Sequence, residues 1–312
     1  MTAAAITSIL YTSMASFYPI YMATNFPQLS LTHFGFILAI YEIANLIASI
    51  FLGIYIGRVK RKNLIIYSNI YLFIATLAFT TLDFLGPTQD MTFFILSLIF
   101  RVIQGIASAA IQICAYSFAT FEMNHDKDTY IGYVEMALGV GGILGPAIAS
   151  FIFDFVGYVG TFVFFSGIVF VGIIQSKIRI PNTLNERTAK NQSMQLDNDQ
   201  TTEIEKQNLK QLEYQVKIYS ELKYIDFIQN SECFIILLTA CLSVVFTVYI
   251  EAILAIQLYK YYGVQQNLIG LFFLSASILY VIGAPLASWL AKYIHKRIRT
   301  FLSFGPSIVR IN

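Results

Sequence analysis

Charge is what this sequence has least of. Only 12% of its 312 residues are Asp, Glu, Lys or Arg, where a soluble domain carries about a quarter. Most of its surface therefore faces something other than water. Cysteine is scarce: Cys114, Cys233 and Cys241 lie in or beside apolar runs, with neither metal-ligand spacing nor a paired framework, and read as small packing residues. The three histidines, His33, His125 and His295, fall at the polar breaks and offer no ligand set. A net charge of +2 gives no footing for a nucleic-acid partner. With no nucleophile–base pair, metal cluster or phosphate-binding loop, no enzyme activity and no cofactor are expected.

Apolar residues are what the chain has instead. They make up 57% of it, and the mean hydropathy is +0.66. A helix needs about 20 apolar residues to cross a bilayer, since about 1.5 Å per residue must cover about 30 Å of hydrocarbon. Runs of that length recur at about 4–24, 33–56, 64–84, 92–120, 131–153, 158–176, 233–256 and 268–291. A last, shorter run begins near Thr300 and stops at Asn312. The opening Met1-Thr2-Ala3 has no basic n-region, and the first run continues through Tyr18-Pro19-Ile20-Tyr21, so it reads as a spanning helix rather than a cleaved signal.

The predicted organisation has three parts. Residues 1–176 form a six-helix transmembrane bundle, 177–230 a polar connector, and 231–312 a partial second bundle of helices 7, 8 and the start of 9. The connector is rich in Asn, Gln and Thr over 182–202 and is expected to be disordered there. Leu209, Leu212, Val216 and Tyr219 recur at helical spacing further on, which fits an amphipathic helix or a loosely helical tether. Lys and Arg collect on one side: Arg58, Lys60, Arg61 and Lys62 in the 2–3 loop, Lys127 in the 4–5 loop, the connector's basic residues, and Lys292, Lys296, Arg297 and Arg299. The positive-inside bias then places the N-terminus in the cytoplasm.

Ionisable side chains at bilayer depth are costly and mark tasks or partners. Glu42 heads a stripe with Asn45, Ser49 and Gly53 down one face of helix 2, which suits a water-filled cavity or a protonated Glu bonded to a neighbouring helix. Arg101 lies near the middle of helix 4, with Gln104, Ser108 and Gln112 continuing its face. Its guanidinium stays charged and needs an anion or carbonyls. Glu42 is the expected partner, in either a proton-responsive pair or a fixed structural one. Glu251 lies toward the outer end of helix 7, above Ser243 and Thr247, as a cation site or an interfacial partner of Lys260. Glu135, near the cytoplasmic start of helix 5, is expected to pair with the basic 2–3 loop. In helix 5, Gly141, Gly145 and Ala149 permit close approach of another helix, and Pro146 permits a bend. Two halves rocking against each other would need such an interface.

These residues resemble the major facilitator superfamily, on its drug-and-amine antiporter side. The 2–3 loop pattern G-x-x-x-D-R-x-G-R-K is matched by Gly53, Arg58, Arg61 and Lys62, with Gly57 at the acidic position and Lys60 at the second glycine. The departure removes the family's acidic latch, for which Glu135 is the candidate substitute. R-x-x-Q-G is present as Arg101, Gln104 and Gly105, a pattern the family links to proton coupling. The helix 5 antiporter pattern is matched at Gly132, Gly141, Gly145, Pro146, Ala149 and Ser150. Tyr41-Glu42-Ile43, Glu135 and Glu251-Ala252 are similar to the vesicular amine and polyamine transporter branch.

The resemblance implies an all-α membrane fold with a complete six-helix first half and an incomplete second half. It implies proton-coupled antiport of an organic cation, with Glu42 and Arg101 responding to protons and Glu251 holding the amine. The partners so implied are the lipid bilayer, a small solute and protons. A second reading has the chain bind or regulate a full-length relative without transporting.

Overall fold

The computed structural model describes residues 1–121, 127–180, 230–265, 268–273 and 278. Among them the chain forms helices and the turns between them, without strands. Helix α1 spans Thr2–Asn25 and α2 Leu31–Tyr55. A 3-10 turn at Ile56–Arg58 leads to α3, Arg61–Ala78, which tightens into 3-10 geometry over Phe79–Phe84. Helix α4 spans Asp90–Phe121. The helical stretch Lys127–Arg179 is broken at Gly157, whose φ of 68° lies in the left-handed region that glycine enters without steric cost. That break divides it into α5, 127–156, and α6, 158–179. Helix α7 spans Ser231–Tyr262, and a helical piece at 268–273 opens where the eighth span is expected. The 4–5 loop at 122–126, the connector from 181 to 229 with its expected amphipathic helix, and the last apolar run lie outside the described residues.

Among the described residues, four helical stretches are long and apolar enough to cross a membrane: Leu31–Tyr55, Arg61–Phe84, Asp90–Thr120 and Thr129–Arg179, the last comprising α5 and α6. Their outward faces carry bare apolar side chains, such as Phe36, Leu46, Phe51, Tyr71, Phe155 and Phe170. A chain in lipid leaves these unburied because hydrocarbon solvates them. Helix starts follow capping chemistry. Ser30 Oγ and backbone N both meet His33 Nδ1, at 2.9 and 3.1 Å, closing a box at the head of α2. Asp90 stands in the first turn of α4, where the helix dipole favours a carboxylate.

Helix α1 is the most enclosed element, buried almost continuously from Thr12 to Ile20. It can be enclosed because its hydroxyls bond back to its own carbonyls: Ser13 Oγ to Leu10 O at 2.9 Å and Ser16 Oγ to Ser13 O at 3.0 Å. One face meets α5 at glycines. A Cβ at Gly141 would strike the Ala5 carbonyl and Ser8 Cβ, and one at Gly145 would strike the Ile9 carbonyl and the Thr12 hydroxyl. Ser8 Oγ donates to Leu138 O at 2.7 Å across the same seam. Farther along α1, aromatic rings fill the bundle. Tyr18 lies among Phe34, Phe79, Phe93, Tyr158 and Phe162, and its hydroxyl shares a hydrogen bond with Ser97 at 2.7 Å.

The close neighbour that the α5 glycines admit is α1. Gly141 and Gly145 face α1, within the first six helices, because their open backbone is filled by α1 carbonyls. The contact with the later helices uses the next residues, where a Cβ on Gly270 would meet the Pro146 carbonyl and Ala147 Cα. Beside it, Ala15 and Ile20 of α1 pack with Ala255 and Leu258 of α7 and with Ile269 and Phe273. At the Met1 end, a cavity of about 260 Å3 opens between Ala4, Ile65, Ile111, Phe118, Ser176 and Arg179.

Adding a methyl group at Gly141 or Gly145 should part α1 from α5. We expect Gly145→Ala to cost about 1–3 kcal/mol of stability, read as a lowered melting temperature in detergent. Gly35→Ala, with nothing within 4 Å of the new Cβ, should leave it unchanged.

Candidate functional site

Polar stripes on α2 and α4 enter the apolar bundle. On α2, Glu42, Asn45 and Ser49 are half-buried along one face, and Ser49 Oγ donates to Asn45 Oδ1 at 3.2 Å. Gly53 ends this stripe at an exposed position. On α4, Arg101, Gln104 and Ser108 are buried, and Gln112 Nε2 donates to Ser108 Oγ at 3.1 Å.

Arg101 has no exposed surface and is the bulkiest fully buried side chain among the described residues. Its Nη1 donates to Gln104 Oε1 at 3.3 Å, Gln104 Nε2 donates to Thr76 Oγ1 on α3 at 3.1 Å, and Thr76 Oγ1 donates to Leu72 O at 2.7 Å. A relay of three hydrogen bonds thus anchors one edge of the guanidinium to the α3 backbone. Its Nε and Nη2 have no acceptor among the described residues. Aromatic faces cover the cation instead: Cζ lies 5.1 Å from the Tyr41 ring centroid and 5.8 Å from that of Tyr11. The two rings are 4.8 Å apart and inclined by 32°. Each such face contributes about 2 kcal/mol when water is excluded, against a burial cost of at least about 3 kcal/mol for a mid-membrane charge.

Gly105 makes this arrangement possible. A Cβ there would run into the Tyr41 carbonyl, Ala44 Cβ and the Asn45 amide, so glycine lets α2 approach α4 closely enough for Tyr41 to cover Arg101. The spacing Arg101, Gln104, Gly105 accordingly supplies the charge, its hydrogen-bond anchor and the room for its aromatic cover.

Glu42 follows Tyr41 on α2, but the expected contact pair with Arg101 is not what forms. Glu42 acts on Arg101 through space. Tyr11, Tyr41 as a cover, and Thr76 are the members of the site not singled out from sequence. A permanently charged side chain in an apolar run calls for aromatic neighbours, and Tyr41 stands directly before the acid.

The other predicted residues lie elsewhere. Gly132 is half-buried near the start of α5, and Glu135 accepts a hydrogen bond from Tyr116 Oη of α4 at 2.5 Å. Arg61 opens α3 and is buried, with its carbonyl 3.9 Å from Cys114 Sγ, and Lys62 beside it is half-buried. The side chain of Arg58 lies outside the described residues. So does that of Glu251, whose backbone belongs to α7; its pairing with Lys260 is likewise outside them. Among the described residues no cluster of His, Cys, Asp or Glu could hold a metal ion.

The family model "Major Facilitator Superfamily" matches residues 1–309. Among curated proteins, the chain is 23% identical over 279 residues to the "MFS-type transporter SLC18B1" of Rattus norvegicus, covering 89% of this chain and 53% of the rat protein. The "Tetracycline resistance protein, class H" of Pasteurella multocida is 28% identical over 39% of this chain and 28% of its own length. "Multidrug resistance protein 2" of Bacillus subtilis is 27% identical over 51% of this chain and 37% of its own length. The chain thus spans about half the length of the rat relative, and less of the bacterial ones. A crystal structure of a D-xylose–proton symporter superposes with a TM-score of 0.62 over 94% of this chain and 68% of that one, at 15% identity.

The anchor of the guanidinium is open to test. Gln104→Leu removes the only hydrogen-bond acceptor Arg101 has among the described residues. It should destabilise the bundle by about 1–3 kcal/mol, measured by unfolding in detergent. Gln112→Leu, whose bond links one face of a single helix, should cost less than half as much.

Proposed function

The chain belongs to the Major Facilitator Superfamily, a family of transporters, and from that premise we propose that it exchanges an organic cation, of the amine or drug-like class, for protons. The observation that carries this reading is Arg101: an enclosed, permanent charge with no counter-ion in contact among the described residues, and an ionisable carboxyl, Glu42, beside its aromatic cover. Such a charge is balanced through space while Glu42 is ionised, and loses that balance when Glu42 takes up a proton. A cationic solute drawn to the carboxylates and a proton bound to Glu42 therefore exclude each other, which is the requirement for exchange. Glu251 on α7 is the second carboxylate in this reading, the one facing the solute from the other half. Two further features support it. The names of the two bacterial relatives concern resistance to tetracycline and to multiple drugs, and the resemblance of Glu42, Glu135 and Glu251 to the amine-transporter branch favours a cation.

The contact of Pro146 and Ala147 with Gly270 supplies the place where the halves meet in this conformation. Alternating access would part it while leaving the glycine seam between α1 and α5 closed. Positive residues in the 2–3 loop and connector favour a cytoplasmic N-terminus, so that contact would close the outer side.

The test is uptake of a labelled amine by vesicles holding the purified chain, under an imposed pH gradient. Uptake should follow the gradient and collapse when it is dissipated, and Glu42→Gln should cut gradient-driven uptake by about tenfold or more. A Glu42→Gln variant that exchanges protons for amine at the native rate would sink the coupling role. In a separate measurement, Gly270→Leu should wedge the Pro146 contact apart, raising the labelling of a cysteine placed at Ala147; unchanged labelling would show that this contact is not a moving one.

A further inference from the structure

The cavity at the Met1 end plays no part in the exchange of cation for proton, and its wall has two chemically different sides. The inner side is apolar. Ala4 of α1, Ile65 of α3 and Ile111 of α4 are buried there, and Ala115 and Phe118 continue the wall toward the end of α4. The α6 side is polar: Gln175, Ser176 and Arg179 lie on one face of the last turns of that helix. The space, about 260 Å3, exceeds the roughly 150 Å3 of an apolar cavity that takes in benzene.

Two side chains on the polar side lack partners among the described residues. Ser176 is 5% exposed, yet its hydroxyl makes no hydrogen bond there. Ser13, Ser16 and Thr76, by contrast, each bond back to a carbonyl of their own helix. A hydroxyl withdrawn from water and aimed into a cavity calls for an acceptor inside it. Arg179, exposed at the rim, has no carboxylate within ion-pair reach among the described residues.

Charge at this end has one sign. Residues 1–10, 55–68, 108–121 and 165–180, the ends of the four helices around the cavity with their flanking turns, include Arg58, Lys60, Arg61, Lys62, Lys177 and Arg179 but no Asp or Glu. The first acid beyond them in sequence, Glu122, lies outside the described residues. A free inorganic anion would suit the rim and meet hydrocarbon over the rest of the wall. A plain hydrocarbon would fill the depth and leave Ser176 and Arg179 unmet. The two sides together fit an amphiphile with an anionic head.

We propose that this cavity binds an anionic phospholipid. Part of an acyl chain occupies the space between Ile65, Ile111 and Phe118, the phosphate meets Arg179, and the Ser176 hydroxyl donates to a head-group oxygen. Helix ends of spanning length stand at the level of the lipid head groups, so the membrane itself supplies the ligand. The basic residues of this end attract anionic lipid to it. The proposal is independent of the exchange reading and holds for a chain that moves no solute.

The experiment uses the full chain in phosphatidylcholine vesicles carrying a small fraction of lipid with brominated acyl chains. Trp289→Phe removes the single tryptophan, and Phe118→Trp sets a reporter on the cavity wall. Brominated phosphatidylglycerol should quench that reporter at about tenfold lower mole fraction than brominated phosphatidylcholine. Arg179→Gln, which removes the head-group contact, and Ala115→Leu, which fills the cavity, should each abolish most of this preference. Lys177→Gln, an exposed cation that does not line the cavity, should leave it unchanged. A second measurement leaves Phe118 and Trp289 in place: by native mass spectrometry the chain should retain phosphatidylglycerol about tenfold better than its Arg179→Gln variant does. Equal quenching by the two lipids, or equal losses in Arg179→Gln and Lys177→Gln, overturns the proposal. Stronger quenching by a brominated free fatty acid than by the phospholipid overturns it too, assigning the cavity to a carboxylate head. No quenching by any of these probes shows the cavity closed to lipid and overturns it equally.

Discussion

The site is organised by the need to enclose a charge that cannot be titrated away. A carboxylate or ammonium in a membrane escapes the desolvation cost by gaining or losing a proton; a guanidinium does not. Arg101 must therefore be solvated by the protein, and each neighbour does part of that. Gln104 and Thr76 carry one hydrogen-bonding edge to the α3 backbone. Tyr11 and Tyr41 place π faces over the cation, and Gly105 removes the side chain that would hold α2 away. Remove the charge from α4 and the close approach of α2 at Gly105, the burial of Gln104 and the pairing of two tyrosines lose their common purpose.

This arrangement separates attraction from contact. A direct bidentate pair between Glu42 and Arg101 would be tight and hard to break, since breaking a buried pair leaves each charge unpaired at a cost of about 3–5 kcal/mol. Without a contact pair, protonation of Glu42 would tear away no ionic bond to Arg101. A transporter that cycles needs a responsive group whose two states differ by a modest free energy, because a deep well on either side stalls the cycle.

Much of the architecture is legible in the sequence, and the reasons are physical. Apolar runs longer than the bilayer define the helices to within a few residues, so the span expected at about 33–56 is Leu31–Tyr55 and that at 92–120 is Asp90–Phe121. The runs at 131–153 and 158–176 leave 154–157 between them, and the chain turns there, at Gly157. Arg101, Gln104 and Gly105 are legible as a unit because charge, amide and missing side chain are each unusual at that depth. What periodicity cannot specify is a partner. The glycines of α5 announce a close helix approach, but small-residue spacing is equally compatible with α1 and with the second half. Likewise a tyrosine in an apolar run reads as packing, and nothing in the spacing of Tyr11 marks it as cover for a guanidinium some ninety residues away.

The consequence for motion follows from which face of α5 each contact uses. Gly141 and Gly145 hold α5 to α1 at backbone distance, with Ser8 bonded across the seam, so any motion that parts these two helices must break that packing. Pro146 and Ala147 present a different part of α5 to Gly270, while Ala15 and Ile20 present the matching part of α1 to α7. The later helices therefore bear on the α1–α5 pair as a unit. Of that pair, only α1 also reaches the charged site, through Tyr11. The glycine pattern thus sets α5 directly against α1, the helix that carries Tyr11 to the buried arginine.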